Sequence, residues 1–250
     1  MEMLIVYYAP RLLHNGGIVK GSIGSCPVLA DKSMMGGDMN SKTLTGWILI
    51  VGPILTFLVV GILYDAVIGS GETSAEVVSE AMAKAQMATL LRVIGAIAFV
   101  SPFIGMTLFS RSMQGETSPG TPYAAIAGIV FTAISAIAIL ASGLSLGTID
   151  TAKNSVSDAA IIEIISDGIF PSLFVFWGIG NILVGTAMVI QKNLHIVMGW
   201  LFVCWGAFML LISVIESVEI PDAVGLILWA GLNLTMVALG ILTLKPKETS

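Results

Sequence analysis

Six stretches of this chain are long and apolar enough to cross a lipid bilayer, and nothing else in the sequence constrains the fold as much. A helix rises ~1.5 Å per residue, so ~20 apolar residues cross a hydrocarbon core ~30 Å thick. The runs are Gly46–Ile68, Leu90–Phe109, Tyr123–Leu146, Pro171–Gln191, Leu194–Ile215 and Ala223–Leu244. In lipid every backbone N–H and C=O must be bonded within the chain, which a helix achieves and a lone strand does not. The runs lack period-2 alternation and are about twice the length of a barrel strand. They predict an all-α, polytopic bundle of six transmembrane helices. Only 11% of the residues are charged and 56% are hydrophobic, whereas a soluble domain carries about 25% charged residues. A net charge of −5 also argues against nucleic acid as a partner, since phosphate binding needs a basic stripe. The partner the composition predicts is the bilayer itself.

Orientation is read from the loops. Lys42, Arg111, Lys192, Lys245 and Lys247 fall at one end of the spans. The other end receives Asp65, Glu72, Glu76 and Glu80, then Asp150, Asp158, Glu163 and Asp167, then Glu216, Glu219 and Asp222, with only Lys84 and Lys153 among them. Short loops rich in Lys and Arg stay cytoplasmic, which predicts N-in, C-in and a multi-pass protein of the prokaryotic cytoplasmic (inner) membrane.

The acidic loops carry helix signals. Thr73-Ser-Ala-Glu76 reads as a capping box, starting a helix expected to run unbroken through Ala81 and Ala85 into the second span. Ser155-Val-Ser-Asp158 is a weaker cap ahead of Ala159, Ile161, Ile162, Ile164 and Ile165, interrupted by Glu163. That stretch predicts a short interfacial helix between helices 3 and 4, ending near Gly168. The very short turn at Lys192-Asn193 makes the fourth and fifth spans antiparallel neighbours.

Residues 1–38 are Gly-rich, with no run long enough to span, and Leu4–Ala9 is too short for a signal-peptide core. Gly36-Gly37-Asp38 before Met39 can be encoded as a prokaryotic ribosome-binding sequence ahead of a start codon. The expectation is that Met39 is the true start and residues 1–38 a mis-annotated, non-membrane leader, the alternative being a disordered cytoplasmic tail, with a single six-helix domain over residues 39–250.

Catalytic motifs do not hold up. Gly143-Leu-Ser145-Leu-Gly147 matches a nucleophile elbow, but it lacks the required strand and ends a transmembrane helix. His195, the nearest credible base, belongs to the opposite end of the spans. The pattern also misses the glycine and histidine positions of rhomboid-type intramembrane proteases. His14 and His195 offer no haem site, and no Cys/His cluster offers a zinc or copper site. Cys26 and Cys204 give no disulfide framework. The expectation is no enzyme, no cofactor and no metal.

The polar residues within the spans are more informative. Trp177 and Asn181 lie four apart in the fourth span, as do Trp229 and Asn233 in the sixth, and spacing of four places each pair on one face. Both asparagines fall mid-span, at matching depth. A carboxamide in hydrocarbon needs a partner. Two readings follow: interhelical glue, which is favoured, or a midplane binding site or solute path. As glue, Asn181→Leu would cost about 1–2 kcal/mol. Arg92, just inside the second span, is expected to snorkel or to pair with an acid of an outer loop. Pro53 and Pro102 are expected to kink their spans. Gly178 and Gly180 suit close helix contact, and Ala124, Gly128, Thr132 and Ala136 form a small-residue stripe expected to be a packing face.

Lys42-Thr-Leu-Thr-Gly46-Trp47, Leu90-Leu91-Arg92-Val93-Ile94-Gly95, Phe174-Val-Phe-Trp177-Gly178, the turn at Gln191-Lys192 and Gly199-Trp200 resemble a family of small six-helix prokaryotic membrane proteins that is defined only as a domain of unknown function. The resemblance covers about Met39–Leu244 and implies the six-helix layout without an activity. The functional expectation is a non-enzymatic bundle for packing, sensing or partner binding, able to form homo- or hetero-oligomers through its helices. The alternative is a small-solute transporter or channel using Asn181 and Asn233, for a solute the sequence does not specify. Against transport, no acid sits at a span centre, and Gly52-Pro53 has no counterpart in the fourth span.

Overall fold

The structure is a computed structural model and describes residues 41–115, 118–192, 196–214 and 222–245, with backbone alone for 214 and 222–224. The expected leader, its histidine and cysteine, His195 and Glu219 lie outside the described residues. The described chain is helical and contains no strand. Its elements are α1 (Ser41–Leu58), a π-helical turn (Val59–Leu63), α2 (Tyr64–Val67), α3 (Ser74–Ala83), α4 (Ala85–Ser112), α5 (Thr121–Ala152), α6 (Val156–Gln191), α7 (Ile196–Val214) and α8 (Asp222–Leu244). Six helical segments are long and apolar enough to cross a membrane: Ser41–Val67, Ala85–Ser112, Thr121–Ala152, Val156–Gln191, Ile196–Ser213 and Gly225–Leu244. Large apolar side chains such as Ile97, Ile129, Ile227 and Leu234 are exposed around the bundle, as suits a surface whose solvent is lipid.

The helices pack in the order α8, α1, α4, α5, α6, α7, with a looser seam between α7 and α8. Glycines set the closest approaches. A Cβ on Gly178 would come within 2.8 Å of the Gly206 carbonyl across α6 and α7, and one on Gly185 within 2.6 Å of the Gly199 carbonyl. Gly240 and Gly46 do the same for α8 and α1, at 2.8 Å. With no water to drive association in lipid, such backbone proximity supplies the dispersion contacts. A Cβ on Gly180 would lie 2.9 Å from the Phe131 ring on α5, so Gly178 and Gly180 serve two different helix contacts.

Gly52, next to Pro53 in α1, packs against Pro102 in α4. A Cβ on Gly52 would lie 3.2 Å from Pro102 Cδ. Pro102 has no N–H, so the Ala98 carbonyl four residues earlier loses its intrahelical donor. Thr56 Oγ1 of α1 donates to that carbonyl at 2.7 Å, and Ser101 Oγ at 2.8 Å.

Three sequence expectations are corrected. The capping box forms, with Glu76 N–H donating to Thr73 Oγ1 and Thr73 N–H to the Glu76 carboxylate. The helix it starts does not continue into the second span, however. Lys84 sits at φ −128°, ψ 39°, outside the helical region, and donates Nζ to the carbonyls of Val67 and Ile68 at 2.5 and 3.3 Å. Lys84 thereby bonds the carbonyls left open where the first span ends, and the chain breaks to let it do so.

The expected short interfacial helix is likewise not separate. Ser155 caps at Asp158, and the helix then runs without interruption to Gln191, 36 residues in all. Ala159, Glu163, Ser166, Leu173, Trp177, Asn181, Val184 and Met188 form one buried face along it, so core packing carries the helix through Gly168 and Pro171.

On α5, Ala124 and Gly128 are buried but Thr132 and Ala136 are exposed. The buried face instead turns through Ala127, Phe131, Ile134 and Ala138, while large aliphatic side chains such as Ile129, Ile139 and Leu140 face outward, where lipid is as apolar as they are.

Candidate functional site

Four elements converge on one ionic cluster at the acidic end of the bundle. Arg92 enters from α4, Tyr64 from α2 immediately after the π-turn, Ser145 and Thr148 from α5, and Glu163 from α6. Arg92 Nη2 lies 3.0 Å from Glu163 Oε1 and Nη1 lies 3.3 Å from Oε2, a two-pronged pair that fits the planar guanidinium to the carboxylate. Arg92 Nε donates to Tyr64 Oη at 2.9 Å, and Nη1 donates as well to the Ser145 carbonyl. The guanidinium carbon sits 5.7 Å from the Tyr64 ring centroid, within cation–π range. Thr148 Oγ1 donates to Glu163 Oε2 at 2.9 Å. The Arg92 and Glu163 side chains are 5% and 11% exposed. Removing two charges from water costs several kcal/mol per ion, offset here by pairing and by the added hydrogen bonds.

Beside this cluster lies a cavity of about 290 Å³. Val59, Val60, Tyr64 and Asp65 line one side, Arg92, Gly95 and Phe99 another, Ser142 and Ser145 a third, and Glu163, Ser166, Asp167 and Phe170 the last. Asp65 and Asp167 are exposed. Phe99 and Phe170 each lie seven residues deeper along their helices than Arg92 and Glu163, ~10 Å at the helical rise, and their rings meet at 5.8 Å. Behind them Phe103 stacks edge-on against Trp177 at 4.7 Å. The cavity therefore has an acidic rim, an ionic side wall and an aromatic floor.

Backbone irregularity frames it on two sides. The π-turn at Val59–Leu63 ends with Tyr64 N–H bonded to the Val59 carbonyl, and Pro171 in α6 removes the intrahelical donor to the Asp167 carbonyl. π-turns occur mostly as single turns inside α-helices, often at functional sites, and non-regular backbone at membrane depth is tolerated where protein or a polar cavity receives it.

The asparagines and tryptophans lie elsewhere. Trp177 and Trp229 meet edge to face at 5.9 Å, so the two faces do turn toward each other. Asn181 and Asn233 are buried, at 0% and 5% exposure, but they do not pair. Asn181 Nδ2 points to Met209 Sδ at 3.7 Å, while Asn233 Nδ2 donates to its own helix at the Trp229 carbonyl, 2.8 Å away. α6 and α8 are not close-packed neighbours; bulky indoles hold them apart, out of reach of two short carboxamides. Asn181 Oδ1 and Trp177 Nε1 are buried without a hydrogen-bond partner.

Of the sequence candidates, then, Arg92 belongs to the ionic cavity, and Trp177, Trp229, Asn181 and Asn233 belong to the core beneath and beside it. Glu163 is the member of this cluster that sequence reasoning missed. The signal was present: counting back from Asn181 and Trp177 by three or four passes through Leu173, Phe170 and Ser166 to Glu163 and Ala159. Among the described residues no group of three His, Cys, Asp or Glu side chains is placed to hold a metal ion. No family profile, curated protein sequence or solved structure matches the chain.

Proposed function

We propose that this protein is a non-enzymatic sensing or partner-binding bundle of a prokaryotic cytoplasmic membrane, with its acidic end outside and the cavity at Arg92 and Glu163 as its ligand site. The observation that carries the reading is the cavity itself. A bundle that only packs would fill this space with aliphatic side chains, because an ion pair in hydrocarbon contributes little stability over a well-packed apolar replacement. Here two helix irregularities, an ion pair and a set of hydroxyls surround an open volume large enough for a small organic molecule. The loops support the orientation, since Lys42, Arg111, Lys192 and Lys245 share the end remote from the cavity. A solute path through the asparagines is not part of this proposal, because Asn181 is fully enclosed and Phe99 and Phe170 close the cavity floor.

Site-directed labelling tests the reading. Ser142→Cys in the cavity wall, in a background with Cys26 and Cys204 replaced by Ser, should react with an impermeant thiol reagent added to intact cells. A variant that reacts only after permeabilisation would overturn the outward orientation. One that reacts in neither case would remove the accessible cavity.

A further inference from the structure

We infer that the ligand of this cavity is a small organic cation with an aromatic or compact apolar body. The inference rests on the cavity being a binding site and names the class of molecule it selects. Among the described ionisable groups lining it, Arg92 is the only cation, and four of its five N–H groups are engaged: Nε with Tyr64, both of Nη1 with Ser145 and Glu163, one of Nη2 with Glu163. An anion would meet a guanidinium whose charge Glu163 already offsets, with two further carboxylates, Asp65 and Asp167, in the same wall. Glu163 is engaged in turn by Arg92 and Thr148. The charges left unengaged are both negative. Among the described residues Asp65 and Asp167 make no hydrogen bond or ion pair, and they face the same volume from α2 and α6. A cation entering between them gains two charge-assisted contacts without displacing an existing one.

The rest of the wall specifies the kind of cation. Tyr64, Phe99 and Phe170 present aromatic surface, which attracts organic ammonium groups and the apolar bodies they carry. The carboxylates do not form a metal-ligand group, as the absence of such a cluster among the described residues indicates. Volume agrees, because about 290 Å³ lies at the lower edge of the ~300–1,000 Å³ usual for small-molecule pockets.

Three probes of one shape and different charge test the inference: benzylammonium, benzyl alcohol and benzoate, each titrated against the full-length protein in nanodiscs by calorimetry. Benzylammonium should bind with the highest affinity. Asp65→Asn with Asp167→Asn should weaken it about 10-fold or more, the equivalent of one lost charge-assisted contact or better. Asp150→Asn should leave it unchanged, since Asp150 lies outside the cavity and pairs with Lys153 at 2.8 Å. Cation binding that survives the double substitution would overturn the role of the two acids. Benzoate or benzyl alcohol binding as well as benzylammonium would overturn the cation class and leave the cavity standing as a binding site. Failure of all three to bind would overturn the binding reading itself.

Discussion

Arg92 and Glu163 stand 71 residues apart in the chain, on helices α4 and α6 that α5 separates, and meet through two parallel hydrogen bonds, 3.0 and 3.3 Å long. Truncating either partner leaves the other charge buried and alone, at a cost of about 3–5 kcal/mol. Arg92→Leu and Glu163→Leu should each destabilise by that much in a denaturant titration in detergent. The double variant should recover a large part, because no unpaired charge then remains. Arg92→Lys should not rescue, since one ammonium cannot reach Tyr64, Ser145 and both carboxylate oxygens at once. Additive losses in the double variant would mean that the pair is not coupled in the folded protein.

Gly206 and Gly143 predict opposite signs for the same substitution. A Cβ on Gly206 would lie 2.8 Å from both Ile182 N and Ile182 Cγ1, and closer still to the Gly178 carbonyl. Backbone cannot yield as a side chain can, so Gly206→Ala should cost about 1–3 kcal/mol by forcing α6 and α7 apart. A Cβ on Gly143, within α5, would meet nothing within 4 Å. Gly143→Ala should therefore gain up to about 1 kcal/mol from helix propensity. Thermal unfolding of the two variants beside the parent is enough. A destabilising Gly143→Ala would show that this face of α5 is covered by something.

The spans were legible in the sequence because lipid demands length and apolarity of each segment independently, and both can be counted along the chain. Breaks and continuations were less so. Lys84 interrupts a good helix pattern because its ammonium reaches carbonyls of residues 67 and 68, a contact no local rule anticipates. Conversely, Gly168 and Pro171 look like a stop, yet α6 passes through them on the strength of a buried face that extends past both. The π-turn at Val59–Leu63 carries only Gly61 as a cue. The site was half visible. Arg92 stood out as a charge in an apolar run, while Glu163 was grouped with the loop acids, since its burial depends on α6 being one helix.

Topology gives the next prediction. Arg111, at the end of α4, and Glu76, in the first turn of α3, lie at opposite ends of the bundle, and the basic end should be cytoplasmic. In a background with both native cysteines replaced by Ser, Glu76→Cys should be modified by an impermeant maleimide on intact cells. Arg111→Cys should be modified only after lysis. The reverse pattern would invert the protein and place the cavity on the cytoplasmic side.

The asparagines yield the last prediction, and the structure reverses the sign expected from sequence. If Asn181 and Asn233 were each other's partner, either Leu substitution would orphan an amide and the double variant would recover stability. Instead the Asn181 amide donates only to a thioether, at 3.7 Å, and its carbonyl oxygen is buried with no donor. A carbonyl desolvated in this way costs about 1–3 kcal/mol. Asn181→Leu keeps the branching of the side chain, removes that cost and loses one weak contact to sulfur, so it should fall within about 1 kcal/mol of the parent or above it. Asn233→Leu gives up a bond to the Trp229 carbonyl, which keeps the backbone donor four residues on, so no group is orphaned and the loss should stay under about 1 kcal/mol. The two changes share no contact and should add within about 0.5 kcal/mol in a double-mutant cycle read by denaturant unfolding. Two large single losses with recovery in the double variant would mean that the carboxamides do reach each other, and that α6 and α8 sit closer than the Trp177 and Trp229 rings allow.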